Sequence, residues 1–189
     1  SGGSFGGRSF RGAFSASRAS ADDGCKREDS QDVDSCREAA LTLLDAAARP
    51  SGALRDRLAA KGFEPDTIDE VISRLTAVQL IDDRAYAESA VRSCLERMYG
   101  RRGTVMALTR KGVDRVLAEE VVREAALSGA FEASAWELGR SVARKTSGLD
   151  PQIRKRRLWS AGGHKGHSPS VLRDIAHELF DAQGSDDRR

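Results

Sequence analysis

Residues 111–125 read KGVDRVLAEEVVREA, and a related pattern occurs at residues 61–75 (KGFEPDTIDEVISRL) and 165–179 (KGHSPSVLRDIAHEL). The three Lys-Gly pairs are separated by 50 and 54 residues. After each Gly, apolar or small residues recur at offsets of 6, 9, 10 and 13. This spacing places them on one face of an α-helix. The sequence therefore contains a repeated structural unit of about 50 residues.

Each unit is predicted to contain three helices. The short middle helices end at the Lys-Gly pairs, because Gly adopts the left-handed conformation that closes a helix. Helix starts are indicated by Asp82, Asp150 and Ser168, the last two of which precede Pro. We assign no strand, since no stretch alternates between apolar and polar residues. The first and third helices are expected at residues 36–48, 66–79, 83–98, 115–127, 132–146 and 169–182.

These units predict an all-α fold, an elongated tandem array of three three-helix repeats. A unit of this size has little core of its own, so neighbours are expected to share apolar seams. We assign the repeats to residues 35–81, 82–130 and 131–183. Residues 1–34 hold six Gly and seven Ser and are predicted to be a disordered tail. Residues 184–189 form a polar C-terminal end.

The composition indicates a soluble, cytoplasmic chain. It has 189 residues, of which 32% are charged, and no apolar run approaches the roughly 18 residues of a membrane span. Its three Cys residues form no CxxC pair, which favours a reducing compartment. We expect a monomer that does not bind membranes.

The net charge of +2 hides two basic blocks. Residues 31–91 carry 7 basic and 12 acidic side chains. Residues 92–115 carry 7 and 2, and residues 131–167 carry 8 and 3. Charge runs usually form solvated faces, but basic blocks without balancing acids on consecutive units make contact with a polyanionic or acidic partner an equal alternative.

The candidate binding residues follow from this charge pattern. Arg140 and Arg144 share a helix face, because they are four residues apart. Trp159 follows an unbroken basic run and is of a type that stacks on nucleic-acid bases. The residues expected to bind a polyanionic or acidic partner are Arg92, Arg97, Arg101, Arg102, Arg110, Lys111, Arg140, Arg144, Lys145, Arg154, Lys155, Arg156 and Arg157.

The sequence offers no convergent catalytic set. His164 and His167 lie in a basic loop without the further ligands that a metal needs, so no metal site is assigned. Cys94 is interpreted as a half-buried structural residue. The nucleotide-binding and nucleophile motifs GxxxxGK[ST], GxGxxG and GxSxG are absent. We therefore predict a protein that is not an enzyme and has no cofactor.

The stretch LIDDRAYAESAVRS at residues 80–93 resembles the RecX family, as do Arg101-Arg102 and LTRKGV at residues 108–113. The resemblance covers about residues 36–182 and is weakest over the third unit. There Gly162-Gly163 replaces an apolar helix end and His167 stands in place of Phe63 or Val113, which places the third middle helix in question. Thr104 and Ala125 replace larger residues, so a looser second core is expected.

The resemblance implies a regulator of RecA, the bacterial recombinase. RecX proteins are tandem three-helix repeats that lie along the groove of the RecA–single-stranded DNA filament. They suppress RecA's ATPase, strand exchange and coprotease activities, in DNA repair and control of the SOS response, and some also bind DNA. The alternative is a free-standing, non-specific DNA-binding helical protein, which predicts tight, salt-dependent binding without RecA. A generic helical scaffold is the third hypothesis, and an enzyme is the fourth.

Overall fold

The computed structural model describes residues 31–181. The predicted tail therefore lies outside this range except for its last four residues, as does the predicted polar end at 184–189. Within the described range the chain is helical and contains no strand, which confirms the all-α prediction. The helices are α1 Val33–Ala46, α2 Ser51–Ala60, α3 Pro65–Ala77, α4 Asp83–Glu96, α5 Arg101–Arg110, α6 Arg115–Ala126, α7 Ala130–Lys145, α8 Pro151–Lys165 and α9 Pro169–Ala176, followed by a π-helical turn at His177–Asp181.

The helices form three units, each packed around an apolar cluster, and Phe131 of α7 belongs to the cluster of the second unit. The first unit (α1–α3) packs around residues such as Leu58 and Ile68, and the second (α4–α6) around Leu108 and Val121. The third unit, α7–α9 with the π-helical turn, packs around residues such as Leu158. The prediction of tandem three-helix units is thereby confirmed.

The Lys-Gly pairs end the middle helices as predicted. Gly62, Gly112 and Gly166 have φ values of 95°, 95° and 76°. In each unit the residue after the Gly donates its amide to a carbonyl five residues earlier, at 3.3, 3.1 and 2.9 Å. This bond is typical of a Schellman helix end. The third unit thus closes its middle helix in the same way as the other two.

Two of the three predicted N-caps are formed through side chains. Asp82 accepts a hydrogen bond from the Ala85 amide at 2.8 Å, and Asp150 accepts one from the Gln152 amide at 2.8 Å. Ser168 occupies the cap position of α9 without a side-chain cap bond. A further cap was not predicted: Asp32 starts α1 at Val33, two residues before the predicted end of the tail.

The third middle helix is intact despite its two glycines. Helix α8 runs unbroken for 15 residues through Gly162. A Cβ added to Gly162 would lie 2.5 Å from Leu172 Cδ2, so the Leu172 side chain fills the space beside the glycine. In the second unit the corresponding residues are Leu108 and Ala118. The third unit therefore exchanges a large residue on the middle helix for a large residue on the last one.

The last helix differs from the prediction of 169–182. Helix α9 ends at Ala176, and the chain continues as a π-helical turn to Asp181. Phe180 of this turn lies under the Arg154 guanidinium, 4.6 Å from its ring centre, and Asp181 pairs with Lys155 at 2.5 Å. The wider turn thus accompanies two contacts that join it to α8.

The first and second units are joined through α2. The backbone amide and hydroxyl of Ser51 donate to the two carboxylate oxygens of Asp83, at 2.7 and 2.5 Å. Asp83 therefore caps a helix of the preceding unit. The α2 start also touches the Lys-Gly turn of the second unit, where a Cβ on Gly112 would lie 2.5 Å from the Ala53 nitrogen.

The second and third units are joined in an equivalent place. Gly103 follows Ala53 by the repeat spacing of 50 residues, and a Cβ on Gly166 would lie 2.1 Å from its nitrogen. The Gly100 amide donates to the Lys165 carbonyl at 2.8 Å. The Lys-Gly turn therefore has two roles in these units, since it ends its own helix and packs against the middle helix of the preceding unit.

Candidate binding surface

The second unit exposes a set of basic side chains without acidic partners. All six predicted candidates of this unit are exposed. Within residues 31–181, none has a carboxylate within ion-pair distance. The Arg97 guanidinium instead lies 5.5 Å from the centre of the Tyr99 ring. The set comprises Arg92, Arg97, Arg101, Arg102, Arg110 and Lys111.

The two arginines at the start of helix α5 do not stabilise that helix. Arg101 and Arg102 are its first two residues, and its first turn has no acidic side chain. A cation at a helix N-terminus faces the positive end of the helix dipole, which costs about 0.3–1 kcal/mol. Both side chains are exposed, so burial does not offset this cost. Their position favours a role in binding.

The four consecutive basic residues on α8 have two different environments. Besides its stacking on Phe180, Arg154 contacts Thr146 Oγ1 at 3.4 Å, and Lys155 is held by Asp181. These two residues therefore serve the packing of the third unit. Arg156 and Arg157 are exposed, and no carboxylate among the described residues pairs with them. The predicted four-residue block is thus reduced to two free guanidinium groups.

The basic residues of α7 are also partly compensated. Arg140 and Arg144 lie on one face, as predicted, but both contact Glu137, at 3.1 and 3.3 Å. Hydrogen bonds from these two arginines lower the pKa of the Glu137 carboxyl. The expectation that this block lacks balancing acids is wrong at this point. Lys145 is exposed and, in the described part of the chain, unpaired with any carboxylate.

Sequence reasoning missed two arginines of helix α6. Arg115 and Arg123 line a groove of about 650 Å³ together with Arg101 and Arg102 of α5. The groove lies between α5 and α6 of the second unit and α7 and α9 of the third. The available signal was the spacing of residues 115, 119 and 123, which places three charged side chains on one helix face.

The remaining chemistry-bearing residues have structural roles. His167 is 6% exposed, and its Nε2–H donates to the Met98 carbonyl at 2.9 Å. Burial lowers the pKa of His167 and raises the pKa of the Cys94 thiol, so both favour the neutral form. No cluster of three potential metal ligands occurs among residues 31–181. None of the helices in that range is both long and apolar enough to cross a bilayer.

The fold and these residues define a class, a tandem three-helix repeat protein with exposed basic side chains on its second and third units. Family models agree: the first three-helix domain of RecX matches residues 36–75, and the second matches residues 82–122. The chain belongs to the RecX family of regulatory proteins, which are not enzymes.

The chain is similar to known proteins over most of its length. The regulatory protein RecX of Streptomyces lividans is 32% identical over 177 residues, covering 93% of this chain and 91% of its own. That of Thermobifida fusca is 32% identical over 152 residues, covering 78% and 80%. The crystal structure of RecX from Lactobacillus salivarius matches with a TM-score of 0.68 at 25% identity, covering 78% of this chain and 96% of that one.

Proposed function

We propose that this protein binds the filament that RecA forms on single-stranded DNA and lowers its ATPase, strand exchange and coprotease activities. Membership of the RecX family supports the partner. The structural observation that carries the proposal is the set of exposed, uncompensated guanidinium groups on two consecutive units, such as Arg101 and Arg102 on α5 and Arg156 and Arg157 on α8. The protein thereby acts in DNA repair and in control of the SOS response, in the cytoplasm.

The binding mode we propose is many weak contacts along a rigid array. Guanidinium groups bind carboxylates and phosphates through two parallel hydrogen bonds, and an uncompensated basic face accelerates encounter with an anionic partner. The joints at Ser51–Asp83 and Gly100–Lys165 fix the spacing between consecutive units. Contacts on several units can then form together, which multiplies their effect on affinity.

The test is ATP hydrolysis by the cognate RecA on single-stranded DNA, titrated with the full chain. We expect the wild type to inhibit, and the double variant Arg156→Glu/Arg157→Glu to require about tenfold more protein for the same inhibition. Arg154 and Lys155 stay unchanged because they hold the third unit together.

The matched control is Arg57→Glu/Lys61→Glu. It makes the same change of charge at the end of the middle helix of the first unit, at the exposed residue Arg57 and the exposed C-cap residue Lys61. We expect this variant to inhibit as the wild type does. Equal effects of the two double variants would contradict the proposed surface, and a wild type that leaves RecA unaffected would contradict the proposed function.

Free-standing DNA binding is the second candidate, favoured by the surroundings of Trp159. Trp159 is 39% exposed and lies three residues after Arg156 on the same helix. An aromatic face beside a guanidinium group is suited to a stacked base and its phosphate. This candidate predicts tight binding to single-stranded DNA without RecA, and an affinity that falls steeply with salt. Fluorescence anisotropy of a labelled oligonucleotide at two salt concentrations distinguishes the two.

A further inference from the structure

We propose that the groove between the second and third units, lined by Arg101, Arg102, Met106, Arg123 and Val171, receives an acidic segment of the partner protein that carries an apolar side chain. This inference rests on the proposed function, since the partner is the RecA protomer. It adds a protein-binding site to the basic surface and assigns it to a defined place in the fold.

The charges of the groove favour an acidic occupant. Arg115 is paired with Glu119 at 2.8 Å. Arg101, Arg102 and Arg123 have no carboxylate within ion-pair distance among residues 31–181, and all three are exposed. Glu132 is the other acidic side chain that lines the groove. The groove is therefore left with an excess of positive charge, which a partner carboxylate would neutralise through charge-assisted hydrogen bonds.

The apolar lining favours a protein segment. Met106 is apolar but 57% exposed, and it lies on α5 between Arg102 and Arg110. The edges of Val105 and Val171 line the groove with it. An exposed Met side chain adapts its shape to an apolar partner group. Apolar surface surrounded by charged groups is the usual organisation of a protein interface.

The same lining is poorly suited to nucleic acid. Single-stranded DNA is held by stacking on exposed aromatic rings as well as by cations. The aromatic residue of this groove, Phe131, is only 3% exposed and offers no free face. Glu119 and Glu132 would also lie close to the phosphates and repel them. A peptide carboxylate, by contrast, can be placed singly between the arginines.

The charge test uses Arg123→Glu, a residue outside the basic set on which the proposed function rests. The matched control is Arg173→Glu on α9, which is exposed and does not line the groove. Co-sedimentation with RecA filaments on single-stranded DNA is expected to show about tenfold weaker binding for Arg123→Glu and less than a twofold change for the control. Equal binding of both variants and wild type would overturn the inference.

The identity of the occupant is tested by photocrosslinking. A benzophenone amino acid replaces Met106 in the full chain, and in a second protein it replaces Trp159 on α8. The Met106 position is expected to crosslink to a RecA peptide rich in Asp or Glu. Crosslinks from the Met106 position to DNA alone would overturn the groove assignment. The absence of any crosslink from that position, when the Trp159 position does form crosslinks, would overturn it as well. Failure of the wild-type chain to co-sediment would instead contradict the proposed function.

Discussion

Replacing Gly103 by Ala tests whether the joint between the second and third units depends on close backbone contact. A Cβ at this position would lie 2.1 Å from the Lys165 carbonyl oxygen and 2.8 Å from its carbon. The two units would have to separate by about 1 Å to restore ordinary contact. This overpacking costs about 1–3 kcal/mol, and loss of the Gly100–Lys165 hydrogen bond costs about 1 kcal/mol more. Better helix propensity of Ala returns about 1 kcal/mol.

The net expectation is a loss of about 2 kcal/mol in the free energy of unfolding. The matched variant is Gly163→Ala on α8, where nothing lies within 4 Å of the added Cβ. It is expected to gain about 1 kcal/mol from propensity alone. Urea denaturation followed by circular dichroism measures both. Hydrogen exchange of the Gly100 amide, which donates across the joint, should become faster in Gly103→Ala only. Equal stability of the two variants, with equal protection of that amide, would refute the reasoning.

Three further predictions concern the joints and the third core. Asp83→Ala removes the cap of another unit's helix and should lower the free energy of unfolding by about 1–2 kcal/mol in urea denaturation, whereas no change would mean that the cap is not used. Gly162→Ala should cost about 1–3 kcal/mol in the same measurement, and an added Leu172→Ala should reduce that penalty; additive losses would contradict the proposed exchange of volume. Because burial lowers the pKa of His167, the unfolded chain binds this proton more readily. Stability should therefore fall as the pH drops below about 6.5, further than in His167→Phe, and parallel profiles would contradict this.

The fold was largely predictable because its signals are local. Helix periodicity and the left-handed Gly after Lys111 depend on residues within a few positions of each other. The cap at Asp82 is equally local, since its partner amide is three residues away. The third middle helix was not predictable in the same way, because the side chain that fills the space beside Gly162 comes from Leu172, ten residues later and on another helix.

The candidate site was predicted only as a list of charges. The sequence alone could not show that Glu137 serves both arginines of its face, or that Lys155 is held by Asp181, 26 residues further on. Nor could it show that Asp83 reaches back to Ser51. Such pairs have no fixed spacing along the chain, so no periodic pattern reveals them.

The sequence by itself determined the three consecutive three-helix units, the ends of their middle helices and the location of excess positive charge. The tertiary structure decided which of those charges remain free and how the units meet. It also placed Arg101 of α5, Arg123 of α6 and the start of α9 around one groove. The physical reason is that helix formation follows from interactions within one or two turns, whereas pairing of charges and formation of a groove depend on distances between helices.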